Sequence, residues 1–196
     1  MANYINMYLI SELTGGAGTD NSDTAVGTAY AEAVSGDVGS DTTITGGTLL
    51  KFDANSSGEP FSVTLNASES AVIGKGYKIF KCALLCERDF TDPQNIKKFK
   101  TSGDTVLSFV SASNGSTDKW KFSELPSTDP TSLQDLDDIN TWASTLTFAI
   151  GGGAITSNAS GAKYFLVKVS TDGNEPPHVD EDITIAVTTT IAEDVA

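Results

Sequence analysis

The sequence predicts an all-β protein: an antiparallel two-sheet sandwich with one short helix and an extended N-terminal arm. Three observations predict it. From Thr48 onward, apolar side chains recur at every second position in segment after segment, with threonine common in between, as half-buried antiparallel strands require. Polar turn clusters separate these segments, among them Asn55-Ser56-Ser57-Gly58, Ser113-Asn114-Gly115-Ser116 and Gly151-Gly152-Gly153. Only residues 127–144 read better as helix than as strand or loop over any length. The 196 residues fit a single domain with an appended arm and are enough to bury a core without disulfides or metal.

The first element is Tyr4-Ile5-Asn6-Met7-Tyr8-Leu9-Ile10. Ile5, Met7 and Leu9 fall on one face and Tyr4, Tyr8 and Ile10 on the other, so this strand is apolar on both faces and calls for cover on both. Residues 14–47 follow as a tether or long loop. Their eight glycines leave Val26, Tyr30, Val34, Val38 and Ile44 as the only larger apolar side chains. A free glycine-rich chain of that length has an end-to-end distance of ~30 Å. The run Ala29–Val34 suits a single helical turn. The division is therefore 1–13 strand or arm, 14–47 tether, 48–196 sandwich.

Within the sandwich, Phe61, Val63 and Leu65 alternate with polar residues. Tyr77 to Glu87 places Phe80, Cys82, Leu84 and Cys86 on one strand face; Phe80, Ala83 and Leu84 also suit a helix, and the strand is the better fit. Val106, Leu107, Phe109 and Val110 read as a strand covered on both sides. Trp120 and Phe122 form another, as do Leu146, Phe148 and Ile150, and then Ile183, Ile185, Val187 and Ile191. The helical exception is 127–144. Asp129 is placed to cap it and Pro130 to open it, with Leu133, Leu136, Ile139 and Trp142 on its buried face and Asp135, Asp137 and Asp138 toward solvent. Its expected position is across an open end or edge of the sandwich.

The formal net charge is −14, which argues against nucleic acid or an anionic membrane surface as partner. The charge is uneven. Residues 1–50 hold six acids and no Lys or Arg, 122–196 hold twelve acids and two lysines, and 51–121 hold ten bases against eight acids. Copies with acidic ends and a near-neutral middle have a means of stacking on one another. No stretch of about 18 apolar residues is present, and MANYINMYLISEL lacks the basic region and cleavage site of a secretory leader. Synthesis in the cytosol is the expectation.

Candidate sites are few. The loop between the last two strands holds Asp172, Glu175, Asp180, Glu181, Asp182 and the single histidine, His178. Asp180 and Asp182 are the candidate ligands for a hard divalent cation there, whereas one histidine and two remote cysteines are too few for zinc. Asp53 to Gly58 matches the first half of a calcium loop, but the twelfth position is Thr64 rather than Glu, and a turn explains it better. Cys82 and Cys86 lie i, i+4 on a strand, roughly 13 Å apart at ~3.3 Å per residue, too far to bridge; two small buried side chains is the reading. No GxSxG elbow accompanies His178. The glycine runs match neither a P-loop nor a dinucleotide fingerprint. No catalytic residue and no cofactor is therefore assigned. The assembly candidates are Tyr4, Ile5, Met7, Tyr8, Leu9 and Ile10, a doubly apolar strand on a long tether that suits addition to a neighbouring subunit's sheet; docking into the chain's own sheet is the other reading.

The closing segment Tyr164 to Ile191, YFLVKVSTDGNEPPHVDEDITIAVTTTI, resembles the last strand pair of immunoglobulin-like modules in surface and virion structural proteins. With the acidic, glycine- and threonine-rich sandwich it ends, it is similar to capsid decoration or tail proteins of tailed bacteriophages, whose folds are immunoglobulin-like or jelly-roll sandwiches. The resemblance implies a non-enzymatic virion component, foremost a decoration (cement) subunit that bridges neighbours through its N-terminal arm. Its partners would be copies of itself and a major capsid protein, its place the virion. A tail-tube protein is the near alternative. An extracellular filament or adhesive subunit built by donor-strand exchange is another, and a carbohydrate-binding or hydrolytic sandwich using Trp120 or Trp142 is a third.

Overall fold

The computed structural model describes residues 4–13, 30, 32–36, 47–50, 63, 65, 76–89, 92, 94–111, 117–171 and 183–195. Their strands are β1 (Ile5–Glu12), β2 (Thr48–Leu50), β3 (Tyr77–Cys86), β4 (Arg88–Asp89), β5 (Lys97–Thr101), β6 (Thr105–Ser111), β7 (Trp120–Glu124), β8 (Thr145–Phe148), β9 (Lys163–Ser170), β10 (Ile183–Thr188) and β11 (Ile191–Glu193), with an α-helix, α1 (Leu133–Ile139); Tyr30 is helical too. One layer is a five-stranded sheet in the order β2-β1-β3-β9-β7. Two three-stranded sheets, β10-β6-β8 and β11-β5-β4, face it, and every pairing is antiparallel. The all-β sandwich is the fold.

The facing sheets are two halves of one bent ribbon. Register between β6 and β10 runs from Ser111↔Ile183 to Val106↔Thr188, and resumes between β5 and β11 at Thr101↔Ile191. The β5–β6 side spends two extra residues at the bend, where the Ser102 amide donates to the Thr190 carbonyl (2.8 Å). A bulge of this kind turns a strand through a corner without losing its partner. The opposite chain bends too, so Ile191 belongs to a separate strand rather than to the alternation of β10.

Period-2 alternation fills the space between layers. Met7, Phe80, Cys82, Leu84, Cys86, Phe122, Phe165 and Val167 from the five-stranded sheet meet Leu107 and Ile185 from the other layer, with Val63 and Leu65 packed against them. Phe122 of β7 stacks on Phe109 of β6, ring centroids 3.9 Å apart and planes 7° from parallel. The Phe122 amide and carbonyl also exchange hydrogen bonds with Ala143 (2.7 and 2.9 Å). Two residues later the same chain pairs with β6 as β8, so segment 143–148 stitches one side of the sandwich shut. On another side the turn 154–161 is the stitch. Thr156 accepts from the Cys86 amide and Ile155 accepts from Thr101, and Gly161 lies so close to Thr156 that a Cβ would sit 1.9 Å from its Oγ1.

Four expectations are corrected. The outward face of β6 is only partly covered: Val106 is half-buried but Val110 is 45% exposed, because the ribbon is the outer layer and no described element lies over that position. The strand through Leu146 and Phe148 stops before Ile150, which opens a 3-10 turn over the glycines and is exposed. The helix is capped by Ser132, not Asp129. Ser132 Oγ accepts from the Asp135 amide (3.0 Å) while Asp135 Oδ2 accepts from the Thr131 amide (2.7 Å). This reciprocal bonding satisfies two donors, more than a lone Asp-Pro start offers. Lastly, α1 lies on the outer face of the five-stranded sheet rather than at an end or edge, with Leu133 and Leu136 packed among Leu13, Ile79 and Leu166. A seven-residue helix has no stability of its own, so this apolar face is what holds it.

Candidate functional site

The five-stranded sheet is apolar on both faces, and what covers its outer face is the informative part of the molecule. On β3 the residues Ile79, Lys81, Ala83 and Leu85 point away from the inter-layer core, and all four are buried. Two separate pieces of chain cover them. The helix and Trp142 lie over one end. Residues 30 and 32–36 lie over the other, with Tyr30 packed beside Ile79 and Leu166, and Val34 packed among Tyr8, Ala83 and Leu85.

Each piece is held by a lysine standing in the sheet. Lys168 of β9 reaches Asp137 of α1 (Nζ to Oδ1, 2.6 Å), both side chains being largely buried. Its ammonium also lies 4.9 Å from the Trp142 ring centroid and 5.3 Å from that of Tyr77, and the Trp142 indole donates to the Asp137 carbonyl (3.1 Å). Asp137 therefore turns inward, contrary to the reading that put all three helix acids in solvent. Lys81 is 4% exposed. Its Nζ donates to the carbonyls of Tyr30 (2.6 Å) and Glu32 and lies 5.1 Å from the Tyr164 ring centroid. Burial pushes the Lys81 ammonium below its ordinary range, with the Glu32 carboxylate acting the other way. An ammonium in such a place costs several kcal/mol unless carbonyls and aromatic faces replace water. The covering segment supplies them. It is fixed further by the Val34 amide donating to Tyr164 Oη (3.1 Å), the Ala159 amide donating to Gly36 O (3.1 Å), and Tyr30 Oη donating to Pro126 O (3.2 Å).

The assembly candidates all lie in or beside β1. Its two edges are occupied, by β2 from Met7↔Leu50 to Leu9↔Thr48 and by β3 from Ile5↔Cys86 to Glu12↔Phe80. Ile5, Met7 and Leu9 face the inter-layer core, while Tyr8 and Ile10 face the cover; Tyr4 packs on Phe99 with centroids 4.4 Å apart. The cation candidates Asp180 and Asp182, with His178 and the rest of that loop, lie outside the described residues, as does the calcium-like run 53–58. Among the described residues no group of three or more metal-binding side chains gathers. A cleft of roughly 360 Å³ between the end of β7 and α1 has Glu124 as its one ionisable wall residue, beside Ser123, Asn140 and Thr141. Both tryptophans are engaged in packing: Trp120 lies 5.7 Å from Phe109 between centroids, and Trp142 sits under Lys168.

Sequence reading missed Lys81, Lys168, Tyr30, Val34 and Tyr164. The signal was there for Lys81. In YKIFKCALLC both parities are apolar, and a lysine within a doubly buried strand needs a dedicated acceptor.

Cys82 and Cys86 are buried thiols. Burial raises both, Cys86 from 9.0 to about 12 and Cys82 further, so neither is a thiolate nucleophile near neutral pH. Burial likewise raises Tyr8 from 10.0 to about 12, with Glu87 adding to it, and raises Tyr77 beyond that. These acids keep their protons in the fold while the unfolded chain releases them from about pH 9 upward. Stability therefore falls as pH rises above about 9, first through the cysteines and from about pH 10 through the tyrosines as well. Lys81 acts oppositely, losing its proton first in the folded state, but it is one group against five, since burial raises Tyr30 as well. Urea melts between about pH 8 and pH 11 check this; a flat profile would contradict it. Comparison of the chain with protein-family models, curated proteins and solved structures returns no match.

Proposed function

We propose that this chain is a non-enzymatic structural subunit of a virion, foremost a capsid decoration protein that contacts copies of itself and a major capsid protein. The observation that carries the reading is how the first fifty residues attach. Among the described residues, β1, residues 30 and 32–36, and β2 are each anchored to the fold, with glycine-rich sequence between them. Arms of that kind tie subunits together without a large preformed interface. The polar side chains of the outer face support the reading as well, since Lys81, Lys168, Asp137 and Tyr164 hold covering chain in place. The net charge of −14 keeps free subunits apart until assembly. Because β3 pairs with β1 from Ile5 to Glu12 and β2 holds Met7 to Leu9 on the other edge, bridging through residues 4–13 goes by exchange of the strand between copies.

The tail role stays as the alternative within the same class. A carbohydrate-binding role is less well supported, because sugar stacking needs open aromatic faces and both tryptophans are packed. Purified particles from cells that make this chain decide the matter. Sedimented on a gradient and read by mass spectrometry, they carry the chain in fixed ratio to the capsid protein, and immunogold labels the shell. Gold on the tail selects the alternative. Particles free of the chain, with the protein left in the soluble fraction, would sink the virion reading.

A further inference from the structure

We infer that residues 30 and 32–36 belong to an exchangeable strap, and that the groove they fill on the outer face of the five-stranded sheet accepts the same strap from a second copy of the chain. The inference deepens the assembly reading above and rests on it for its biological use.

The strap adds no strand to the five-stranded sheet. Two side chains anchor it four positions apart, Tyr30 and Val34, both buried, and its backbone is read by three groups that stand on the folded body. Lys81 takes the carbonyls of residues 30 and 32, Tyr164 takes the Val34 amide, and Ala159 donates to the Gly36 carbonyl. The groove thus recognises a short segment with Tyr and Val four positions apart, through those two side chains and the backbone. Glycines flank it in sequence on both sides: Gly15, Gly16, Gly18 and Gly27 before it, Gly39, Gly46 and Gly47 after it. Sixteen residues (14–29) connect it to Leu13 and ten (37–46) to Gly47.

Apolar cover makes filling the groove favourable. With the strap absent, water reaches the Lys81 ammonium, but Ala83, Leu85 and Tyr8 lose the cover that Val34 gives them, and exposed apolar surface is disfavoured. An empty groove is therefore the least stable arrangement, and the groove is filled either by its own strap or by a neighbour's. The contacts are identical in the two cases, so local concentration decides. A chain's own strap is present at roughly millimolar effective concentration. A neighbour's strap competes only where copies are held side by side, which is the condition of an assembled shell and not of the dilute subunit. Identical elements exchanged between protomers are a low-cost route to linkage.

The test uses a fluorescein-labelled peptide of residues 27–39 and the full chain, unaltered or carrying Tyr30→Ala with Val34→Ala. Anisotropy is expected to show saturable binding to the variant, at least tenfold tighter than to the unaltered chain, whose groove is full. The same peptide lacking both anchor side chains stays free. Equal, unsaturable binding to both chains would overturn the inference. Should the variant lack a cooperative melt, the unaltered chain is unfolded and refolded with peptide at about ten millimolar, above the effective concentration of its own strap, and then gel-filtered. Peptide travelling with folded chain supports exchange, and folded chain free of peptide overturns it. These measurements need only purified protein. A strap that fails here leaves the particle experiment to be decided separately, and particles lacking the chain leave the groove's specificity intact.

Discussion

Removing residues 1–13 abolishes the cooperative melt of the whole chain. β1 is an interior strand of the five-stranded sheet, so its loss strips β2 of its partner and exposes a full edge of β3. Met7, Tyr8 and Leu13 are all buried, and large apolar side chains contribute roughly 1.5–3 kcal/mol each. The partly buried Ile5, Leu9 and Ile10 add to this. Set against a usual total of about 5–15 kcal/mol, the deletion removes most of the margin. It also uncovers Ile79 and Ala83. A strand that served only to reach other subunits would leave the remaining sandwich folded. Circular dichroism during thermal and urea unfolding separates the two: a truncated chain with a sharp transition would place β1 outside the core.

Phe122→Ala is expected to cost about 3–5 kcal/mol, the range for emptying a fully buried phenylalanine site. Phe122 is fully buried and touches both layers, stacked on Phe109 across the sandwich and tilted against Phe165 within its own sheet at 6.1 Å between centroids. Its backbone carries the paired hydrogen bonds to Ala143 that close one side. A cavity there loosens the inter-layer stack at the point where the stitched side begins, so the surroundings have little freedom to collapse into it. For a chain of this size each kcal/mol moves Tm by roughly 2–4 °C, which puts the expected drop at about 10 °C. Phe122→Leu refills part of the volume and recovers part of the loss. A drop of less than about 2 °C for the alanine variant would mean that the two layers are not joined through this ring.

The strands were legible because period-2 alternation reports a sheet with one wet face and one dry face. Phe80, Cys82, Leu84, Phe122, Leu146 and Ile185 all lie where that pattern puts them. The doubly apolar β1 likewise announced that it needed cover on both faces. Pattern alone does not say what supplies the cover, because pairing and layering depend on contacts distant in sequence. Val34 meets Tyr164 across 130 positions, and Lys81 meets Tyr30 across 51. The same limit explains the helix. Leu133 and Leu136 marked its buried face correctly, but its seat on Ile79 and Leu166 is a long-range property, and Ile139, read as buried, is 43% exposed because the helix ends there against Asn140. Asp137 read as solvated for a similar reason: nothing within its own segment shows that Lys168 stands opposite.

The same contacts separate what is fixed in the first fifty residues from what is free to exchange, and amide hydrogen exchange on the native full chain tests that division most directly. The amides of β1 that bond to β3, and that of Leu13, which donates to the Ile79 carbonyl (2.9 Å), are expected to exchange only with global unfolding, as those of β3 do. The Val34 amide, held by the Tyr164 hydroxyl, is expected to open well below that limit, at least a hundredfold faster, with β1 still protected. Exchange of β1 and the strap together at one rate would contradict the account, since the strap would then be as fixed as the strand.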